Sequence, residues 1–240
     1  MCIRDSHMGN RVNDRDRLKK LLALEARVRL REELFDRLLD GGEEIGLHTY
    51  QPMIDAGEFN PNIYIVKEGL IRGTYLDRNN EITAGFALPG TLLISFHSYY
   101  DNEPSYYRYE ACCPSVVVRI PKSHFDGLAR ESHEFALWVM SAHQNQLYYA
   151  EVRNRLLSGD AKSRLIQLTS RLSSAFPAPQ GDTSAHDHAS HDMMMKEQLN
   201  SRHKTILQIV PSKIIASYLG ITEQHLSKIK KEILKENSIR

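Results

Sequence analysis

Cysteine is scarce in this chain, which excludes a disulfide-stapled architecture. Cys2, Cys112 and Cys113 are the only three in 240 residues, and the neighbouring pair is too cramped for an ordinary bridge. A reducing compartment, the cytoplasm, fits that usage. Long apolar runs are missing as well: no stretch approaches the roughly 18 to 20 uninterrupted apolar residues of a membrane-spanning helix. Nor does a basic start lead into an apolar core and a small-residue cleavage site, so no secretory leader is expected. The chain also lacks a glycine-rich phosphate loop, a nucleophile elbow and a paired-histidine metal motif, which argues against an enzyme. Charge of one sign is absent overall, the net being +1.

What remains is an ordinary globular composition, 41% hydrophobic and 25% charged, long enough for two small cores. Met1 to Met8 read MCIRDSHM, a scar rather than a designed segment, so residues 1–14 are left outside the fold. From Arg15 to Leu39, leucines at three- and four-residue spacing among charges predict one amphipathic helix, ended by Gly41 and Gly42. The pattern then turns to short alternating runs: Ile63 and Ile65, a turn at Lys67 to Gly69, Leu70 to Leu76, a hairpin tip at Asp77 to Asn80, and Ile82 to Leu88. Tyr106 to Ala111 and Ser115 to Ile120 follow. So many short strands point to a sandwich or barrel.

Pro121 and Ser123 open a helix, and a longer one is expected from about Ser132 to Leu157. Along it Ala136, Met140, His143, Leu147, Ala150, Asn154 and Leu157 alternate by four and three residues, the seam of a coiled coil. Such a stripe either packs on its own barrel or joins a second copy of the chain; the polar His and Asn within it favour the second copy. Asp160 stands where it would cap the next helix, Ala161 to about Ser174. The segment near 177–200 is rich in Pro, Ser, Ala and His without periodicity and reads as a mobile loop.

The C-terminal end is basic. From Arg202 onward eight Lys and Arg face three Glu, a net of +5, and within it lies PSKIIASYLGITEQHLSKIKKEIL, residues 211–234. Its aliphatic positions let two short helices pack steeply. Ala216 is small where they approach, Gly220 suits a left-handed turn and Thr222 can cap the second helix. This is the spacing of a helix-turn-helix. On the second helix Glu223, Gln224 and Lys228 would reach base edges, with His225 and Thr222 beside them. Ser212, Lys213, Ser227, Lys230 and Lys231 would lie nearer phosphates. The bland alternative is a helical hairpin with a solvated basic face.

With these residues in hand, the order of elements resembles the Crp/Fnr family of transcription regulators from about Arg15 onward. IYIVKEGLIRGTYLD is similar to the strand, glycine turn and strand in the middle of that family's effector barrel, and ITAGFALPGTLLIS to the approach to its ligand loop. The resemblance implies an α+β chain in three parts. A double-stranded β-helix, jelly-roll-like effector barrel would occupy 15–130 and a dimerisation helix 131–158; a winged helix-turn-helix would occupy 159–240. It further implies double-stranded DNA, a second copy of the chain and RNA polymerase as partners, with no membrane and no cofactor.

Members that bind cyclic AMP carry Gly-Glu at the start of the ligand loop and Arg-Ser or Arg-Thr near its end. Here Gly90 is followed by Thr91, and the later pair is Pro104 and Ser105, so cyclic nucleotide binding is not expected. In its place stand Phe96, Tyr106 and Tyr107 among other rings, with Arg72 and Arg108 near. These would either line a pocket for a small planar or anionic effector or plug the barrel. Two further readings stay open: a barrel whose C-terminal helices mediate protein contacts, and a metal-responsive loop at His186, Asp187, His188, His191 and Asp192. Cys112 and Cys113 are too few for the four-cysteine cluster of the family's oxygen sensors.

Overall fold

The computed structural model describes residues 14–23, 28, 30–173 and 206–238. Eight strands form two antiparallel four-stranded sheets: β1 (Glu43–Leu47), β2 (Pro52–Ile54), β3 (Ile63–Glu68), β4 (Ile71–Asp77), β5 (Asn80–Ala87), β6 (Leu92–Ile94), β7 (Arg108–Ala111) and β8 (Ser115–Ile120). The first sheet has the order β1-β8-β3-β6 and the second β2-β7-β4-β5. The neighbours are thus nested: β4 with β5, β3 with β6, β2 with β7, β1 with β8. One long hairpin, folded over on itself, is the double-stranded β-helix expected from the resemblance. Its tip has the expected chemistry, because Arg78 and Asn79 both take positive φ, 47° and 72°, as a two-residue turn matched to strand twist requires.

Strand alternation decides the layers. In β3, Ile63 and Ile65 join a cluster with Leu34, Phe35, Leu38, Phe125, Phe135 and Trp138. Tyr64 and Val66, on the opposite face, join Leu47, Ile54, Ile71 and Val117. β3 is buried on both faces, which is why it reads as an unbroken apolar run. The three strands that the pattern did not announce, β1, β2 and β6, are all edge strands, short and weakly patterned.

The single N-terminal helix expected from Arg15 to Leu39 is corrected to two, over 14–23 (α1) and Glu32–Asp40 (α2). Leu18 and Leu22 of α1 lie in the same cluster as Leu34, Phe35 and Leu38 of α2, so both apolar stripes meet one core. Asp36 of α2 meets Arg15 at 3.1 Å and Lys19 at 2.7 Å. Gly41 ends α2 as expected, and the N–H of the next residue, Gly42, donates to the carbonyl of Leu39 at 3.1 Å.

After the barrel come α3 (Lys122–Glu131) and α4 (His133–Ser158), then α5 (Ala161–Ser173), α6 (Ile206–Ile209), α7 (Ser212–Leu219) and α8 (Glu223–Ser238). The chain divides into two compact units, one of residues 1–73 and 86–150, the other of 74–85 and 151–240. The boundary therefore falls within the long helix, and the β4–β5 tip groups with the C-terminal helices rather than with the barrel expected over 15–130. All elements described after α4 are helical, so the wing expected beside the helix-turn-helix has no strand among the described residues. The stretch near 177–200, with its histidines, lies outside them.

Candidate nucleic-acid interface

The turn between α7 and α8 is built by two caps two residues apart. Gly220 takes φ +65°; its N–H donates to the carbonyl of Ser217 at 3.2 Å and that of Ile221 to Ala216 at 3.1 Å. This pair of bonds closes a helix through a left-handed residue. Thr222 then opens α8, its Oγ1 accepting the His225 N–H at 3.2 Å. Gly220 and Thr222 thus do what their positions in the sequence foretold.

Beneath the turn Ile214, Ile215, Ala216, Leu219, Leu226, Ile229 and Ile233 are all buried, each large side chain contributing roughly 1.5–3 kcal/mol. Their burial leaves the other face of α8 to solvent: Glu223, Gln224, His225, Ser227, Lys228 and Lys231 are exposed, as are Ser212, Lys213 and Thr222. Lys228 lies 3.9 Å from Glu232 one turn on. Lys230 is half-buried and donates to Ser212 Oγ at 3.3 Å, tying α8 to the start of α7; burial lowers its pKa. Nine of the ten residues proposed from the sequence are thus exposed, and Lys230 is partly buried.

Two supports were not legible. Arg164 of α5 donates from Nη1 to the Leu219 carbonyl at 2.7 Å, satisfying an end of α7, and from Nε to Gly159 at 2.9 Å. Only the cap before it was foreseen: Asp160 Oδ1 accepts the Ser163 N–H at 3.0 Å. Ser217 of α7 bonds the tip of the β4–β5 hairpin, a contact between segments more than 130 residues apart. Sequence spacing carries no sign of either.

In α4 the buried residues are Phe135, Trp138, Ser141, Ala142 and Leu156. The heptad stripe lies elsewhere: Met140 is 64% and Leu147 67% exposed, Ala150 and Asn154 are exposed, and Ala136, His143 and Leu157 are partly covered. Tyr148 and Leu137 are exposed alongside.

Several of the residues expected at an effector pocket have partners within the fold. Arg72 is buried, and its Nε donates to Glu110 Oε1 at 2.7 Å. Arg108 reaches Glu110 Oε2 at 3.0 Å and Asp55 at 3.1 Å. Gly90 takes φ +94°, with no room for a Cβ against Leu21. Thr91 Oγ1 accepts the Leu88 N–H at 3.1 Å, and buried Ser105 donates to the Tyr107 carbonyl at 2.7 Å. Phe96 and Tyr100 stack 6.1 Å apart across a π-helical turn, His97–Asp101, and both abut His143 of α4. Tyr106, half-exposed, packs edge-on to Tyr107 at 5.2 Å. Tyr109 alone packs on the core between the sheets, beside Gly73, which leaves room for its ring. An open groove of about 510 Å³ lies instead between Tyr99, Tyr100, Lys122, Asp126 and Val139. Cys112 is buried, which pushes its thiol up to about 12, and among the described residues no His, Cys, Asp and Glu group is set to hold a metal ion. No helix among them is long and apolar enough to cross a membrane.

No protein-family model and no curated protein matches this sequence. Solved structures do. FixK2 from Bradyrhizobium japonicum superposes with a TM-score of 0.64 at 16% identity, over 82% of this chain and 86% of that one. The c-di-GMP responsive global regulator CLP of Xanthomonas campestris gives 0.59 at 14%, over 86% and 93%. A CooA mutant from Carboxydothermus hydrogenoformans gives 0.52 at 16%, over 82% and 78%. Over most of its length the chain has the fold of the Crp/Fnr transcription regulators.

Proposed function

We propose that this chain is a sequence-specific DNA-binding transcription regulator of the Crp/Fnr type that acts as a cytoplasmic homodimer. The observation that carries the reading is the doubly capped turn at Gly220 and Thr222, which buries the aliphatic side of α8 and turns Glu223, Gln224, Lys228 and Lys231 outward together. A helix so presented can enter a major groove by its N-terminal end. Gln224 would then read adenine, Glu223 cytosine and Lys228 guanine, while Ser212, Lys213, Lys230 and Lys231 meet phosphates.

The exposed stripe of α4 supports the dimer, since Met140 and Leu147 are about two-thirds exposed among the described residues. Pairing through it would give two recognition helices for half-sites about 34 Å apart. RNA polymerase is the natural further partner of such a complex. An effector would act by shifting the angle between the two recognition helices. Cyclic AMP is not that effector in this reading: the ligand-loop carboxylate and arginine are absent, Thr91 and Ser105 are committed to backbone groups, and a phosphate at Arg72 would have to displace Glu110.

The test is binding of the whole chain to a random duplex pool at graded salt, followed by selection of the preferred site. Affinity should fall linearly on a log–log plot as salt rises, because each neutralised phosphate releases counterions, and the selected site should be a two-fold repeat. A chain indifferent to every duplex at low ionic strength would sink the reading.

A further inference from the structure

We propose that the tip of the β4–β5 hairpin is a releasable latch on the first helix of the helix-turn-helix; what it controls rests on the DNA-binding reading, whereas the latch itself does not. β5 is an edge strand of its sheet, so alternate residues along it present unpaired N–H and C=O groups outward. Two side chains from the C-terminal helices take those groups at Glu81 and Thr83. Ser217 Oγ of α7 accepts the Thr83 N–H at 2.9 Å and donates to the Glu81 carbonyl at 3.3 Å, so one hydroxyl closes both ends of the contact. Arg153 of α4 donates from Nη2 to the Thr83 carbonyl at 3.2 Å while its guanidinium lies 5.2 Å above the ring of Tyr218, the neighbour of Ser217.

The contact is specific yet incompletely satisfied. Thr83 is fully buried, and among the described residues neither its Oγ1 nor the buried Arg153 Nε has a hydrogen-bond partner. Closing the latch strips water from both atoms and returns nothing to them, while opening it rehydrates both. Three side-chain hydrogen bonds against two orphaned polar atoms make a small net balance, the condition for a segment that opens locally without unfolding its neighbours. A serine on α7 also places the latch one turn before Gly220, where a change in the seating of α7 is passed straight to α8.

Amide hydrogen exchange on the full chain tests this without DNA. In the native protein the amide at position 83 should be protected, but should exchange on the order of tenfold or more faster than those of Leu226 and Ile229. Ser217→Ala should erase that protection and leave the α8 amides unchanged, and Ser217→Thr should restore it. Thr83→Val, which removes the orphaned hydroxyl at equal size, should slow exchange at position 83. Exchange at position 83 in step with Leu226 and Ile229 would overturn the proposal, since the contact would then open only with the whole unit. In duplex binding the Ser217→Ala and Thr83→Val proteins should shift affinity in opposite directions. Equal affinities with altered exchange would overturn the latch's control of DNA binding. A native chain that ignores duplexes refutes the functional reading instead, and exchange still decides the latch.

Discussion

Lys228 and Lys231 stand three residues apart on the solvent face of α8, and Lys228 faces Glu232 at 3.9 Å. An exposed pair of this kind holds its lysine weakly, so the lysine is available to a base at little cost. Replacing Lys228 with Ala should cost about 1–3 kcal/mol on the preferred site and relax its base preference, whereas Lys231→Ala should weaken all sequences alike and lower the salt slope by about 1. Anisotropy titrations on matched and mismatched duplexes separate the two; indistinguishable mutants would refute the assignment. At this scale much of the site was legible in the sequence. Gly220 and Thr222 announce a left-handed turn and a cap because backbone sterics and a short hydroxyl act on near neighbours. Arg164 and Ser217 were not legible, since their partners lie 55 and more than 130 residues away.

Among the elements, α4 carries the sharpest division of labour. Phe135, Trp138 and Ala142 are spent on the barrel, and the heptad stripe beside them is largely uncovered. Among the described residues the barrel covers only the first stripe. Leu147→Glu should leave the thermal stability of the isolated protomer nearly unchanged, because Leu147 is two-thirds exposed, and should weaken self-association at least about tenfold. Sedimentation at graded concentrations would show it; an unaltered dimer would move the interface elsewhere. The heptad was readable because α-helical spacing is regular. The division of the N-terminal segment into α1 and α2 was not, because leucines at three- and four-residue spacing read alike in one helix or in two that fold back. Only the shared cluster of Leu18, Leu22, Leu34 and Leu38, with Asp36 drawing in Arg15 and Lys19, distinguishes them.

For the molecule as a whole, His143 is, among the described histidines, the one whose protonation opposes folding. Burial against Phe96 and Tyr100 lowers its pKa, and its Nε2 has no partner among the described residues. The unfolded chain therefore binds the proton more readily than the folded one. The contribution is present above the unfolded value, about 6.5, and is lost as pH falls through the depressed folded value. Asp36, Asp126 and Glu134 have lowered pKa values and lose their contribution only below the ordinary carboxylate range. Melting temperature should thus decline from pH 7.5 toward 5 in the native chain, and His143→Phe should flatten that limb while leaving the steeper loss in stronger acid. An unchanged profile would place the titrating group elsewhere.

What the sequence determined by itself is local: strand alternation, the positive-φ turn at Arg78 and Asn79, the helix caps, the heptad, and the paired aliphatic positions of the helix-turn-helix. Each follows from sterics or periodicity within a few residues. Tertiary structure alone decided which edges β1, β2 and β6 would take, that Arg72 would be neutralised by Glu110, that the rings of the ligand loop would pack on one another and on His143, and that Ser217 would find the backbone of β5. Those outcomes depend on which distant groups share a desolvated space, and there an unpaired polar atom costs more than any local preference can supply.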